Sequence, residues 1–210
     1  MQGGTAATQD VFIEHVGIPT LPAVPLAVDA LTELGMHRQV QLIVSGGIRT
    51  GADVAKALAL GADAISIGTA ALVAMGDNAP EHDAAYREIG SAAGYYDDWQ
   101  AGRDPVGIST QEDELAARFD PELGGRRIAN YLRVLTLETQ TLARACGKSH
   151  VHNLEPEDLV ALTVEAARPA MVERAVQQAV RAFDLIIRAG GFGLVVLDPP
   201  PFAKRKAEVE

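Results

Sequence analysis

The run Val40-Gln41-Leu42-Ile43-Val44 is apolar and β-branched and stops at Ser45-Gly46-Gly47, which predicts a buried strand over residues 40–44. Behind it, Val54, Ala57, Leu58 and Leu60 recur at helical spacing. Thr50 is placed to cap that helix, Asp53 suits its positive end, and Gly61 fits the position just past its last turn. A second short apolar run, Ala64-Ile65-Ser66-Ile67, ends at Gly68-Thr69. Strand, helix and strand in so few residues predict a β-α-β unit with parallel strands and a right-handed crossover.

The flanking pattern is mainly helical. Residues 11–16 and 25–34 read as short helices around a proline-rich turn at 19–25, and residues 70–75 as a further helix. Residues 76–110 are rich in Gly, Asp and Tyr and read as an irregular packed loop. Helices resume with a capping box, Ser109-x-x-Glu112, before 113–119. The longest helix is expected over 127–146, closed by Gly147, and another from Pro156 with Leu159, Leu162 and Val164 on its apolar side. An amphipathic helix over 171–187 then leads to a strand at 194–197 and the turn Asp198-Pro199-Pro200-Pro201-Phe202.

Composition narrows the classes. The 18 basic and 28 acidic residues give a net charge of −10, so the chain lacks the basic face that phosphate-backbone binding requires, and nucleic acid is not an expected partner. One cysteine, Cys146, excludes an internal disulfide framework and any site built from several of its own thiolates, and suggests a reducing compartment. No apolar run reaches the roughly 18 residues of a membrane span and no leader pattern is visible, so a cytoplasmic location is expected, without membrane contact. At 210 residues the chain is shorter than the roughly 250 of a complete eight-fold (β/α) barrel.

Two parallel strands that both end in small residues form the main candidate for chemistry. Without side chains at Gly46, Gly47 and Gly68, a ligand can approach the backbone, and the helix beginning near Gly51 is expected to aim free N–H groups at the same place. A phosphate site is one reading. Glycines that only terminate strands are the other, and spacing alone leaves both open. The run lacks the G-x-G-x-x-G dinucleotide spacing. Elsewhere, His150 and His152 fit packing or capping better than metal binding because no third ligand is near. Tyr95, Tyr96 and Trp99 fit burial of their loop, with stacking on a flavin or a partner as the other reading. Asp97 and Asp98 fit a solvated turn.

The wording of the central segment is more specific. Residues 44–63, from Val44-Ser45-Gly46-Gly47-Ile48-Arg49-Thr50-Gly51 to Leu60-Gly61-Ala62-Asp63, resemble the flavin-phosphate segment of FMN-dependent barrel enzymes. Gly3-Gly4-Thr5-Ala6-Ala7 resembles a loop of the FMN domain of glutamate synthases. Ala71-Leu72-Val73-Ala74-Met75-Gly76 and Asp104-Pro105-Val106-Gly107-Ile108-Ser109-Thr110-Gln111 resemble that family's segment around its iron–sulfur cysteines, and 126–162 resemble the C-terminal part of a shorter branch. The resemblance covers about residues 1–167.

It implies an α/β fold: the last two strands of a partial FMN-dependent TIM (β/α)8 barrel over 1–75, a loop-rich then helical extension over 76–167, and a divergent tail over 168–210. It implies that Ser45, Gly46, Gly47, Ile48, Gly68 and Thr69 surround the FMN phosphate, with Gly4 and Thr5 at the flavin or substrate side, and it assigns no catalytic residue. The implied activity is reductive amination of 2-oxoglutarate to glutamate, with a glutaminase or electron-donor subunit as possible partner. Asp77 and Asp104 stand where the family has cluster cysteines, so its iron–sulfur cluster is not expected. With six barrel strands absent, the piece is expected to be inactive by itself. A non-catalytic binding or interaction fragment is one alternative. The other is a piece of an S-adenosylmethionine-dependent methyltransferase, whose Asp-Pro-Pro-Phe turn residues 198–202 resemble.

Overall fold

The computed structural model of the chain describes residues 17–90 and 103–161 with their side chains, and the backbone of strand Leu194–Leu197. The expected helices at 11–16 and 171–187, and Gly4, Thr5, Tyr95, Tyr96, Asp97, Asp98 and Trp99, lie outside the described residues.

The β-α-β unit forms as its pattern predicts. Strand β1 (Gln41–Ser45) leads through residues 46–50 to helix α2 (Gly51–Ala59), which returns to strand β2 (Ala64–Ser66), parallel to β1. Ahead of it lies helix α1 (Thr20–Glu33). The alternation along β1 has a direct reading: Leu42 and Val44 are 1% and 0% exposed, whereas their neighbours Ile43 and Ser45 are half-buried. Against them pack Val24, Ala27 and Leu31 of α1 and Val54, Ala57 and Leu58 of α2, which together make the main core. The first turn of β2 onto the sheet is made by a side chain, since the Leu42 N–H donates to the Asp63 carboxylate at 2.7 Å while the Asp63 N–H donates to the Leu42 carbonyl at 2.8 Å.

The sheet has a third strand. Strand β3 (Leu194–Leu197) falls where the sequence places it, and it pairs in parallel with the other edge of β1, Gln41 opposite Leu194 and Val44 opposite Leu197. The order is β2-β1-β3. Strand β3 thus covers an edge of β1 whose N–H and C=O groups would otherwise stand unpaired.

Several helix boundaries move. The first described helix starts at Thr20 rather than 25, with Pro25 inside it, because the Pro19 carbonyl already receives the Ala23 N–H and a proline in this helix interrupts one bond only. After helix α3 (Thr69–Met75), the segment expected to be irregular contains a 3₁₀ turn, Pro80–His82, and helix α4 (Asp83–Glu88). Helix α5 (Asp113–Ala116) is shorter than expected and the Ser109 capping box is absent, since Ser109 is engaged by Asp104 instead. The long helix α6 spans Pro121–Ala145 and so begins six residues early. Asp120 caps it by accepting from the Glu122 and Leu123 N–H groups, Pro121 fits its first turn, and the Phe119 ring fills the space beside Gly124, so Gly124-Gly125 does not break it. Gly147 closes it with φ +74° as expected. Pro156 starts only a 3₁₀ turn, Pro156–Asp158, beyond which Leu159 is extended.

Helix α6 lies across α2 and α3. Its contact with α2 is small-residue packing, with Ala55 and Ala59 of α2 against Ala143 of α6 and Leu154. Helix α2 is thereby enclosed on both sides, by the sheet and α1 through one face and by α6 through the other. Among the described residues, no helix is long and apolar enough to cross a membrane. Replacing Leu42 by Ala is expected to cost about 2–5 kcal/mol, measurable as a lowered urea midpoint, because the site is closed on all sides and a cavity would remain. A loss below about 1 kcal/mol would show that the strand is not held as described.

Candidate functional site

Both glycine-ended loops emerge from the same edge of the sheet. Because β1 and β2 are parallel with Ser45 opposite Ser66, the loops that follow them, residues 46–50 and 67–68, leave side by side. The first loop turns through Gly46 and Gly47, whose φ values of +115° and +72° belong to the left-handed region. At Gly68 an added Cβ would meet nothing within 4 Å, so the backbone there faces open space. Ile48 is 6% exposed and roots the loop in the main core. Ser45, Gly46, Gly47, Ile48, Gly68 and Thr69 are therefore brought together, while Gly4 and Thr5 lie outside the described residues.

Backbone hydrogen bonding identifies what this edge offers a ligand. The N–H groups of Gly47, Ile48, Gly68 and Thr69 have no acceptor among the described residues. A group of exposed donors on small residues suits a phosphate oxygen or a comparable anion. The N-terminus of α2 does not join them, contrary to the expectation from sequence. Its Gly51 N–H donates to the Glu138 carboxylate at 2.8 Å, and the Arg49 and Thr50 N–H groups both donate to Asp53, at 3.1 and 3.0 Å. The Asp53 N–H completes a capping box with the Thr50 hydroxyl. Two carboxylates already occupy the positive end of this helix dipole, which leaves the loop amides as the anion-facing donors.

Tyr131 of α6 joins this network by donating its hydroxyl to the Arg49 carbonyl at 2.8 Å. Burial, and then the charges of Asp53 and Glu138, push its phenol above the ordinary value of 10.0. It therefore remains a donor throughout the neutral range. Nothing in its spacing along the chain marks this role, since the partner carbonyl is 82 residues away.

Asp77 and Asp104 are structural. Asp77 is 0% exposed and accepts the Tyr86 hydroxyl at 2.6 Å. Asp104 is 2% exposed and accepts the N–H groups of Val106, Ile108 and Ser109 at 2.9, 2.7 and 2.7 Å, with the Ser109 hydroxyl at 3.2 Å. These positions do not fit an iron–sulfur cluster, whose irons are held by thiolates, and Cys146 is an exposed residue at the end of α6. Among the described residues, no group of three or more His, Cys, Asp or Glu side chains could hold a metal ion. His150 caps the turn Val151–Asn153, its Nδ1 accepting the His152 N–H at 3.2 Å.

Comparison with known proteins bears on this geometry. Residues 1–81 and 100–149, more than half of the chain, match the family described as the conserved region in glutamate synthase. The chain belongs to the glutamate synthase family. It is 69% identical over 172 residues to a glutamate synthase large subunit-like protein of Rhizobium meliloti, an alignment covering 82% of this chain and 39% of that protein. It is 42% identical over 153 residues to an archaeal glutamate synthase (NADPH) of Methanocaldococcus jannaschii, covering 73% of this chain and 27% of that one. With the chloroplastic ferredoxin-dependent glutamate synthase of Oryza sativa it shares 32% identity over 142 residues, covering 68% of this chain and 8% of that protein. The chain thus spans about two fifths or less of the length of these relatives. The matched segments contain both glycine loops and all of α6.

Two outcomes check the site. Asp104→Ala strands three backbone donors in a buried loop and is expected to lower unfolding stability by about 2 kcal/mol or more, with faster amide exchange at Val106, Ile108 and Ser109; unchanged exchange there would refute the assigned role. A phenol raised in the folded state contributes stability that is complete below about pH 10 and is lost as pH rises through its folded value. The tyrosinate absorbance of wild type minus Tyr131→Phe should accordingly have its midpoint above 10, and a midpoint at or below 10 contradicts the described surroundings.

Proposed function

We propose that this chain is the phosphate-anchoring, barrel-closing part of an FMN-dependent, glutamate synthase-like oxidoreductase. The observation that carries the reading is the pair of adjoining loops whose Gly47, Ile48, Gly68 and Thr69 N–H groups lack acceptors among the described residues. Ser45, Gly46, Gly47, Ile48, Gly68 and Thr69 would hold the phosphate, with Gly4 and Thr5 nearer the ring. Residues 1–75 would then close a (β/α) barrel, residues 76–167 form its extension, and residues 168–210 a divergent tail.

Hydride chemistry at such a site belongs to the bound flavin. The chain's own part is to bind and orient. Loop amides offer neutral donors to the phosphate, which matters in a chain of net charge −10 that would otherwise repel it. The carboxylates nearest the loop, Asp53 and Glu138, have N–H partners of their own, so part of their charge is already compensated. For the whole protein the proposed reaction is the reductive formation of glutamate from 2-oxoglutarate and ammonia, with nitrogen and electrons delivered by other domains or subunits. The names of the relatives support this reading, as does the identity shared with them.

Fluorescence titration of the purified chain should show FMN binding, competition by inorganic phosphate, and affinity for riboflavin at least about tenfold weaker, corresponding to roughly 1.4 kcal/mol from the phosphate. Gly68→Asp, which places a carboxylate in the open space beside the loops, should abolish the difference. Equal affinity for FMN and riboflavin, or no binding of either, would overturn the proposal.

A further inference from the structure

We propose that helix α6 sets the conformation of the phosphate loop, with Glu138 and Tyr131 as positioning residues. This rests on the reading of the loop as a phosphate site. The loop has two ends. At its start it is fixed by β1, whose Val44 is fully buried. At its finish, the two peptide groups flanking Thr50 are both held by α6. The Arg49 carbonyl accepts from the Tyr131 hydroxyl at 2.8 Å, and the Gly51 N–H donates to the Glu138 carboxylate at 2.8 Å. Thr139, 4% exposed, adds a weaker tie: its hydroxyl lies 3.2 Å from the Gly51 carbonyl and shares its proton with the Leu135 carbonyl at 2.8 Å.

These contacts require unusual proximity. A Cβ at Gly51 would collide with Glu138 and would sit 2.7 Å from the Leu135 carbonyl oxygen and the Thr139 nitrogen. Backbone lies on backbone, so a shift of α6 moves Thr50 and Gly51 directly. Between these fixed ends, Gly46 and Gly47 occupy left-handed conformations that are cheap for glycine and that a free loop would leave readily. Holding both ends lowers the entropy that the loop must lose when its amides converge on a ligand.

Charge and position predict opposite results, which separates them. If the Glu138 carboxylate acted only through its charge, removing it would strengthen binding of an anionic phosphate. If it positions the loop, Glu138→Ala should weaken FMN binding by about tenfold, while Glu138→Gln, which keeps an acceptor for the Gly51 N–H and drops the charge, should bind FMN as well as wild type or better. Riboflavin affinity should be the same in all three. Tyr131→Phe keeps the ring and loses only the hydroxyl, so it covers the case of an unstable Glu138→Ala protein; it should weaken FMN binding about three- to tenfold. In the ligand-free full chain, amide exchange over residues 45–52 should quicken in Glu138→Ala and in Tyr131→Phe.

Unaltered or tighter FMN binding by Glu138→Ala and Tyr131→Phe, in a chain whose wild type prefers FMN to riboflavin, would overturn the inference and leave the phosphate site standing. Unchanged exchange over residues 45–52 in both variants would overturn it independently of any flavin. A wild type without preference for FMN would remove the phosphate site itself and the inference with it.

Discussion

Strand β1 is the element on which the other parts depend. It is only five residues long, yet it is paired in parallel on both edges and covered by α1 and α2 through Leu42 and Val44. A parallel register leaves no freedom in where the neighbouring loop emerges: once Ser45 stands opposite Ser66, Gly47 and Gly68 are neighbours at the carboxyl end of the sheet. The candidate site follows from that register and from the absence of side chains at the turn.

The same register explains why the ligand-facing groups are loop amides and not a helix end. Helix α2 is short, nine residues, and has α6 pressed against its first turn. Water cannot serve the Gly51 N–H there, so a protein acceptor must, and Glu138 supplies it. Asp53 does the same for Arg49 and Thr50. Capping of this kind stabilises the helix locally and also withdraws its dipole from any ligand. The amides of Gly47 and Ile48, one turn earlier in the loop, escape both carboxylates and stay available.

Local patterns made the β-α-β unit legible, because each of its parts is specified by neighbours in sequence: β-branched runs for the strands, Thr50 and Asp53 for the cap, Gly61 for the exit. The strand at Leu194–Leu197 was legible in the same way, but its partner was not, since nothing in four apolar residues says which edge, some 150 residues away, will receive them. Gly124-Gly125 lie inside α6 although glycine is a poor helix former. Their low helix propensity is a local signal, and it is outweighed by the Asp120-Pro121 cap and by the close packing of Phe119. The roles of Glu138 and Tyr131 left no mark in the sequence at all. Both stand on the side of α6 that meets the start of α2, and only the fold brings them to a loop more than 80 residues distant.

Asp77 and Asp104 hold the segments around α3 and α5 by hydrogen bonds made within the chain. A thiolate bound to a cluster holds its loop by a bond to iron. Asp104 instead gathers three backbone N–H groups and a hydroxyl from residues 106–109, so the turn is closed from within the chain. Asp77 is tied to α4 through Tyr86, across a separation of nine residues. Both carboxylates are nearly inaccessible to solvent, and burial of a charged group is tolerable only when its lone pairs are engaged in this way. The order of the segments around α3 and α5 therefore depends on internal hydrogen bonds, and these act whether or not any electron carrier is near.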